Sequence, residues 1–318
     1  MKILNHGFDH VEFVVQKVAP HAKMYERIGF EKTGERLARG LRTECWSQGF
    51  VRILLTEPVD GKAEATEEAR FLSEQAEGVC LLAVDVDDAR AVYAQALAKG
   101  ARSASEPQVF ESPQGRVVRA EIWTPGNVRY ALIERHYAGS VATVWDQPAL
   151  LDRGLVVKHL KSPAPLAIKM IDHLTNNVGI GEMPRWVDWY KQVFGFEVTR
   201  HFKIRTGRTG LISDVVQSID RKVTVPINEP TEKESQVYEF VERMRGPGVQ
   251  HLAFLTTDIP KTLRGMREAG HKFLTVPHTY YEEVPTRVPG VKEDLRQMED
   301  LGILLDGDES GYILQIFS

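Results

Sequence analysis

An internal repeat restricts the fold of this chain more than any other feature of the sequence. FDHVEFVV at 8–15 resembles IDHLTNNV at 171–178, and GVCLLAVDVDD at 78–88 resembles GVQHLAFLTTDI at 248–259. Each half thus contains two of these stretches. In both halves, each stretch is followed by a helix-like segment that ends at a glycine. One module of about 150 residues, an ordinary domain size, is therefore used twice.

The order of elements within each half predicts an α+β fold. Each half shows a strand, a helix, several strands and then the same series again, which indicates an antiparallel sheet with the helices on one side. We place the first domain at 1–140, a linker with the run KSPAPLA at 141–167, and the second domain at 168–318.

Composition excludes several classes of function. The net charge of −4 offers no basic surface for nucleic acid, and the apolar runs are too short to cross a bilayer. No signal peptide is expected at the N-terminus. The two cysteines, Cys45 and Cys80, form no disulfide framework and no CxxC motif, so we expect a cytoplasmic protein.

The repeat also singles out a histidine. His251 lies in an apolar strand at the position where the first half has Leu81, so packing alone does not require a polar ring there. A buried structural histidine remains the simpler alternative. His173 begins the first strand of the same half, and two strands of this module can lie side by side. Two imidazoles in one cleft, joined by a carboxylate, form a site suited to non-haem Fe(II). The first half keeps only His10, and we expect it to bind no metal.

The carboxylate has to come from elsewhere. The last strand of the first half carries Glu134, whereas the given sequence ends at Ser318, one strand earlier in the repeat. We therefore expect the third ligand to be a Glu beyond Ser318. The alternative ligands are the nearest acids in the sequence, Asp306, Asp308 and Glu309, although DGDESG is typical of a turn.

The second half resembles the 4-hydroxyphenylpyruvate dioxygenase family of the vicinal-oxygen-chelate superfamily. The resemblance rests on ordered stretches: IDHLTNNV, TGLISDVVQS, VPINEP, GPGVQHLAFLTTDI, TYYEEVPTRV, LGILLDGD and GYILQIFS. The first half is similar, more loosely, to the metal-free N-terminal domain of the family. The resemblance implies two tandem domains, each a pair of βαβββ modules forming a half-open antiparallel barrel. It also implies that a last strand with the Glu ligand and a C-terminal helix would follow the given sequence.

The resemblance assigns roles to particular residues. His173 and His251 match the two histidine ligands of the family. Residues that match the substrate cavity are Ser213, Pro226, Asn228, Gln236, Gln250, Gln315 and Phe317. Simpler interpretations exist: Ser213 and Gln236 could be surface polar residues, Asn228 could belong to a strand-ending turn, and Phe317 could be a core residue.

The implied activity is that of an Fe(II) dioxygenase. It would convert the 2-oxo acid 4-hydroxyphenylpyruvate and O₂ to homogentisate and CO₂ in tyrosine catabolism, within a homo-oligomer. One alternative is 4-hydroxymandelate synthase, which acts on the same substrate. An alternative of another class is a protein of the same superfamily that binds a small molecule without catalysis.

Overall fold

The first half forms one eight-stranded sheet. The computed structural model describes residues 3–59, 66–112, 115–137, 150–151, 155–156, 166–206, 209–308 and 311–318. The strands of the first half are β1 Ile3–Val14, β2 Glu31–Ala38, β3 Leu41–Gln48, β4 Val51–Pro58, β5 Gly78–Val86, β6 Arg102–Ser112, β7 Gly115–Trp123 and β8 Arg129–Tyr137. The helices are α1 Val18–Arg27, α2 Glu67–Glu74 and α3 Ala89–Ala98. The strand order is β2-β3-β4-β1-β5-β8-β7-β6.

The second half repeats the first part of this plan. Its strands are β11 Ile168–Asn177, β12 Glu197–Thr206, β13 Thr209–Gln217, β14 Thr224–Pro230, β15 Gly248–Thr256, β16 Leu304–Asp308 and β17 Gly311–Gln315. Its helices are α4 Met183–Trp189, α5 Gln236–Met244, α6 Ile259–Glu268, α7 His278–Arg287 and α8 Leu295–Asp300, and a π-helical turn, Tyr190–Phe194, continues α4. Strands β12-β13-β14-β11-β15 form one sheet, and β16 and β17 form a separate hairpin.

Most of the predicted linker, 141–167, lies outside the described residues. Its described part contains a short ladder between β9, Leu150–Leu151, and β10, Leu155–Val156. None of the helices in the described part of the chain is long and apolar enough to cross a membrane.

The sheets are mixed, not purely antiparallel as the sequence suggested. Strand β1 pairs with β4 in parallel, and so do β5 with β8 and β11 with β14. The cause is the path of the chain. In each of these modules a helix follows the first strand and returns the chain, so that the second strand runs parallel to the first. Two hairpins then join the second, third and fourth strands, and the fourth strand therefore also runs parallel to the first. Antiparallel pairing joins β1 to β5 and β11 to β15.

One apolar core is shared by the two halves. Tyr130 of β8 packs edge-on against Tyr190 and Phe194, with ring centroids 6.1 and 5.2 Å away. The hydroxyl oxygens of Tyr130 and Tyr190 lie 3.1 Å apart, so both buried hydroxyls are satisfied across the interface. Phe30 and Phe254 pack together in the same core, with centroids 5.7 Å apart.

The inside of the first sheet is filled. Leu81, Ala83, Ala131 and Ile133 form a second buried cluster with Phe71 of α2. The second half differs in the segment after α6, where α7 and α8 pack with β16 in a cluster of their own. Among the described residues β15 pairs with β11 alone, whereas β5 lies between β1 and β8.

Candidate metal centre and substrate cleft

The two histidines singled out by the sequence face each other. Leu174 of β11 points into the shared core, so His173 and Thr175 project from the opposite, inner face of the second sheet. Thr175 pairs with His251, and His173 pairs with Ala253 of the same strand. The two imidazole centroids are 5.7 Å apart, with the ring planes at 77°. The structure thus brings together the two predicted ligands.

Hydrogen bonds define the tautomer of both rings. Nδ1 of His173 lies 2.8 Å from Oδ2 of Asp172, and Nδ1 of His251 lies 2.5 Å from Oε1 of Gln250. Because these oxygens can only accept, we assign the proton of each neutral ring to Nδ1. Nε2 of each ring then carries the lone pair that a metal requires, and the bond at Nδ1 fixes the ring orientation.

The hydroxyl group of Thr175 is hydrogen-bonded to Nε2, the second ring nitrogen of His251. Its Oγ1 lies 2.9 Å from Nε2, and with Nδ1 protonated the hydroxyl donates this bond. A metal bound at Nε2 would replace it. Thr175 was missed in the sequence because a threonine in a strand is ordinary, and only the register shows that it faces His251.

The local electrostatics keep His251 neutral. Burial, with the neighbouring His173 ring as a second cause, lowers the pKa of His251 to about 4. A histidine must be neutral to bind a metal, so the ring is competent at neutral pH. The pair therefore fits a metal of the kind that imidazole ligands hold.

The first half retains half of this arrangement. Nδ1 of His10 lies 2.5 Å from Oδ1 of Asp9, just as His173 is held by Asp172. His10 is fully buried, however, and it pairs with Ala83 beside the filled cluster that contains Leu81.

The structure corrects the comparison that rested on Glu134. Side chains alternate along β8: Ala131 and Ile133 lie on the inner face, so Glu134 faces the helices. Its Oε2 accepts a hydrogen bond of 2.9 Å from the backbone N–H of Ala89, at the start of α3. The residue of β8 that pairs with Ala83, next to His10, is Ala131.

No third side chain joins the two histidines in a possible metal-binding group among the residues that the structure describes. Within those residues no group of three or more His, Cys, Asp or Glu side chains could hold a metal ion. Asp306 is exposed on β16, opposite Ile313. The side chain of Asp308, and Glu309 as a whole, lie outside the described residues. The Glu beyond Ser318 stays a prediction.

Three of the predicted substrate residues share the inner face with the histidines. Ser213 pairs with Asn228 across β13 and β14, and Pro226, two residues earlier, pairs with Val215. Ser213 is buried, and Asn228 and Pro226 are half-buried. Cross-strand partners lie on the same face, so these side chains form two adjacent rows.

Of the four remaining predicted residues, Phe317 and Gln250 lie beside His251. The ring centroid of Phe317 is 6.3 Å from that of His251, and its side chain is 42% exposed. Gln250 is exposed and bonds His251, while Gln315 is half-buried opposite Leu304. Gln236 is exposed as the first residue of α5.

Both halves of the chain match models of known protein families. Residues 3–138 match the family model described as hydroxyphenylpyruvate dioxygenase, HPPD, N-terminal. Residues 170–284 match that of the glyoxalase/bleomycin resistance protein/dioxygenase superfamily. The 4-hydroxyphenylpyruvate dioxygenase of Pseudomonas sp. strain P.J. 874 is 32% identical over 98% of this chain and 84% of its own length. The chain belongs to the 4-hydroxyphenylpyruvate dioxygenase family.

A second relative agrees with this assignment, and a solved structure shares the fold. The enzyme of that name from Tetrahymena thermophila is 31% identical over 98% of this chain and 80% of its own length. A mutant of 4-hydroxymandelate synthase from Streptomyces coelicolor has the same fold, with a TM-score of 0.81 and 21% identity, over 99% of this chain and 88% of its own. The two domains are therefore of the glyoxalase type, and the family is one of metal-dependent enzymes.

Proposed function

We propose that this protein converts 4-hydroxyphenylpyruvate and O₂ to homogentisate and CO₂, as a step of tyrosine catabolism. The observation that carries the proposal is the pair of facing histidines, His173 and His251, whose rings lie 5.7 Å apart on the inner face of one sheet. Membership of the family makes this substrate the natural first candidate.

The metal in this proposal is Fe(II). Two neutral histidines and one carboxylate are the ligand set of non-haem Fe(II) oxygenases, and they leave positions for substrate and O₂. Fe(II) bound there would supply the electrons and the open coordination sites that O₂ chemistry needs. We propose that the Glu ligand lies on a strand paired with the edge of β15 that has no partner among the described residues, where β8 pairs with β5 in the first half.

The chain itself orients the substrate. With the 2-oxo acid group at the histidines, the aromatic ring would point across the inner face towards Ser213 and Asn228, which would bind its hydroxyl group. Apolar side chains line the same inner face. Phe202 pairs with Ser213, and Leu255 lies four residues beyond His251 on β15, with exposures of 40% and 39%. Such a wall would exclude water from the ring.

A product assay tests the proposal. The purified protein, loaded with Fe(II) and ascorbate, should consume 4-hydroxyphenylpyruvate and release homogentisate, as separated by liquid chromatography. His173→Ala should abolish turnover without loss of the folded state. Release of 4-hydroxymandelate would identify the synthase activity, and ligand binding without metal or turnover would indicate a sequestering protein.

Two further proposals concern the state of the protein. We propose a homo-oligomer, which light scattering on the purified protein would test. We also propose a cytoplasmic location, because Cys45 and Cys80 are both free and buried, as is usual in a reducing compartment.

A further inference from the structure

One row of facing positions crosses the whole second sheet beyond the histidines. Phe202 pairs with Ser213, Ser213 with Asn228, and Asn228 with Asn177 of β11. Asn177 in turn pairs with Gly248 of β15. Cross-strand partners share a face, so Asn177 lies on the inner face next to the proposed anchors of the substrate hydroxyl.

The side-chain amide of Asn177 is buried and incompletely hydrogen-bonded. It is only 3% exposed, and its Oδ1 has no hydrogen-bond partner within the described part of the chain. A buried amide oxygen without a partner carries a desolvation cost that native proteins rarely leave uncompensated. A ligand group that donates a hydrogen bond would satisfy it.

The repeat shows that packing does not need this amide. The residue at the same place in the first half is Val14, four positions after His10 as Asn177 is four positions after His173. Val14 is fully buried in the apolar cluster that fills the first sheet. Valine therefore serves the fold at this position, and the second half carries a polar group instead.

Gly248 and α5 shape the surroundings of the amide. Gly248 has no side chain to cover Asn177, and a Cβ there would lie 3.6 Å from Cε of Met244 and 3.7 Å from Cε1 of Phe240. These two residues of α5 belong to the buried cluster that contains Val14 and Leu81 of the first half. The amide thus lies at the strand end next to this cluster and is 3% exposed, whereas Phe317 beside His251 is 42% exposed.

The distance along β11 fits the substrate. Thr175, the partner of His251, precedes Asn177 by two residues, which is about 7 Å along a strand. An aromatic 2-oxo acid held at the histidines would bring its para substituent to this row. We propose that Asn177 is a third anchor for the para hydroxyl group and makes the site select hydroxylated over unsubstituted rings. The proposal deepens the proposed function and rests on it.

The test compares two ligands that differ by one hydroxyl group. Binding of 4-hydroxyphenylpyruvate and of phenylpyruvate would be measured by calorimetry on the Fe(II)-loaded protein without oxygen, so that no turnover occurs. Asn177→Val, which copies the first half, should reduce the preference for the hydroxylated ligand by roughly tenfold, because phenylpyruvate no longer leaves a buried amide unpaired. Its affinity for phenylpyruvate should be unchanged or higher.

Asn176→Val is the matched control. Asn176 is also 3% exposed, but it pairs with Ile227 on the face that meets the shared core. This variant should keep the wild-type preference. If Asn177→Val is not folded by circular dichroism, Asn177→Ala replaces it, with the same expected loss of preference because it also removes the amide.

Each outcome decides a separate point. A variant at Asn177 that keeps the wild-type preference, or that weakens both ligands equally, overturns the role of this residue and leaves the proposed function intact. A wild-type protein that binds neither ligand refutes the proposed function, and this inference with it.

Discussion

Replacement of His251 by leucine separates metal binding from folding. Leu81 occupies the equivalent position of the first half and is fully buried there, so leucine is compatible with this strand. The substitution removes two hydrogen bonds, to Thr175 and Gln250, each worth about 1 kcal/mol. Partial burial of leucine offsets this loss by about 1–1.5 kcal/mol. We expect the free energy of unfolding of the metal-free protein to change by less than about 1 kcal/mol.

The increase in Tm on metal binding should differ strongly between the wild-type protein and His251→Leu. A ligand at one hundred times its dissociation constant stabilises the native state by about 2.7 kcal/mol. With an unfolding entropy of about 2.1 cal/mol/K per residue, each kcal/mol raises the Tm of this chain by roughly 1.5 °C, so metal should raise the wild-type Tm by about 4 °C. His251→Leu should show almost no increase, because one imidazole alone holds the ion weakly.

Thermal unfolding with Fe(II), under anaerobic conditions and with a chelator as reference, measures both quantities. His10→Leu is the control, since that histidine is enclosed in the first half and its loss should leave the metal response intact. An undiminished metal response in His251→Leu would refute the assigned metal centre. A variant that fails to fold would refute the equivalence of Leu81 and His251.

Three further predictions concern stability and metal affinity. Arg129→Met should lower the free energy of unfolding by about 3–5 kcal/mol in urea titrations, because it removes the guanidinium group that neutralises the buried carboxylate of Glu68, while Glu121 keeps Arg119; a loss below about 1 kcal/mol would contradict this. Burial lowers the pKa of His10 although Asp9 accepts its hydrogen bond. The unfolded chain therefore takes up a proton that the folded protein excludes, and stability should fall as the pH drops below about 6.5. The fall should be smaller in His10→Leu, where the half-buried His251 still contributes its own part. Thr175→Val should strengthen metal binding by up to about tenfold in calorimetry, because the hydroxyl no longer competes for Nε2; weaker binding would show that the hydroxyl mainly holds the ring.

The sequence allowed the histidine pair to be found because the repeat supplies an internal comparison. Leu81 showed which residue the fold accepts in that strand, and His251 then stood out as a departure from it. The resemblance to the family added Ser213 and Asn228, and the register places both on the inner face. Helix ends at glycine were also readable, since Gly195 ends the π-helical turn with a φ of 71°.

Other features depend on register and could not be read from the chain. The face of Glu134 follows from strand parity, and an error of one residue moves a side chain to the opposite face. Register shifts interrupt the pairing of β11 with β15 at two places near the histidines, so counting residues alone does not assign the faces there. The helix α7 was hidden by Pro285, which stands inside it.

The two halves share one fold, but their inner faces differ in polarity. In the first half the inner face is closed by Val14 and Leu81, and the buried charge of Arg129 is neutralised by glutamates of β7 and α2. At the places of these two apolar residues the second half has Asn177 and His251, and Oδ1 of Asn177 is left without a partner in the described part of the chain. Polar groups on an inner face carry a cost unless a ligand satisfies them. The second half therefore gives up stability that the first half retains, and we infer that metal and substrate return it on binding.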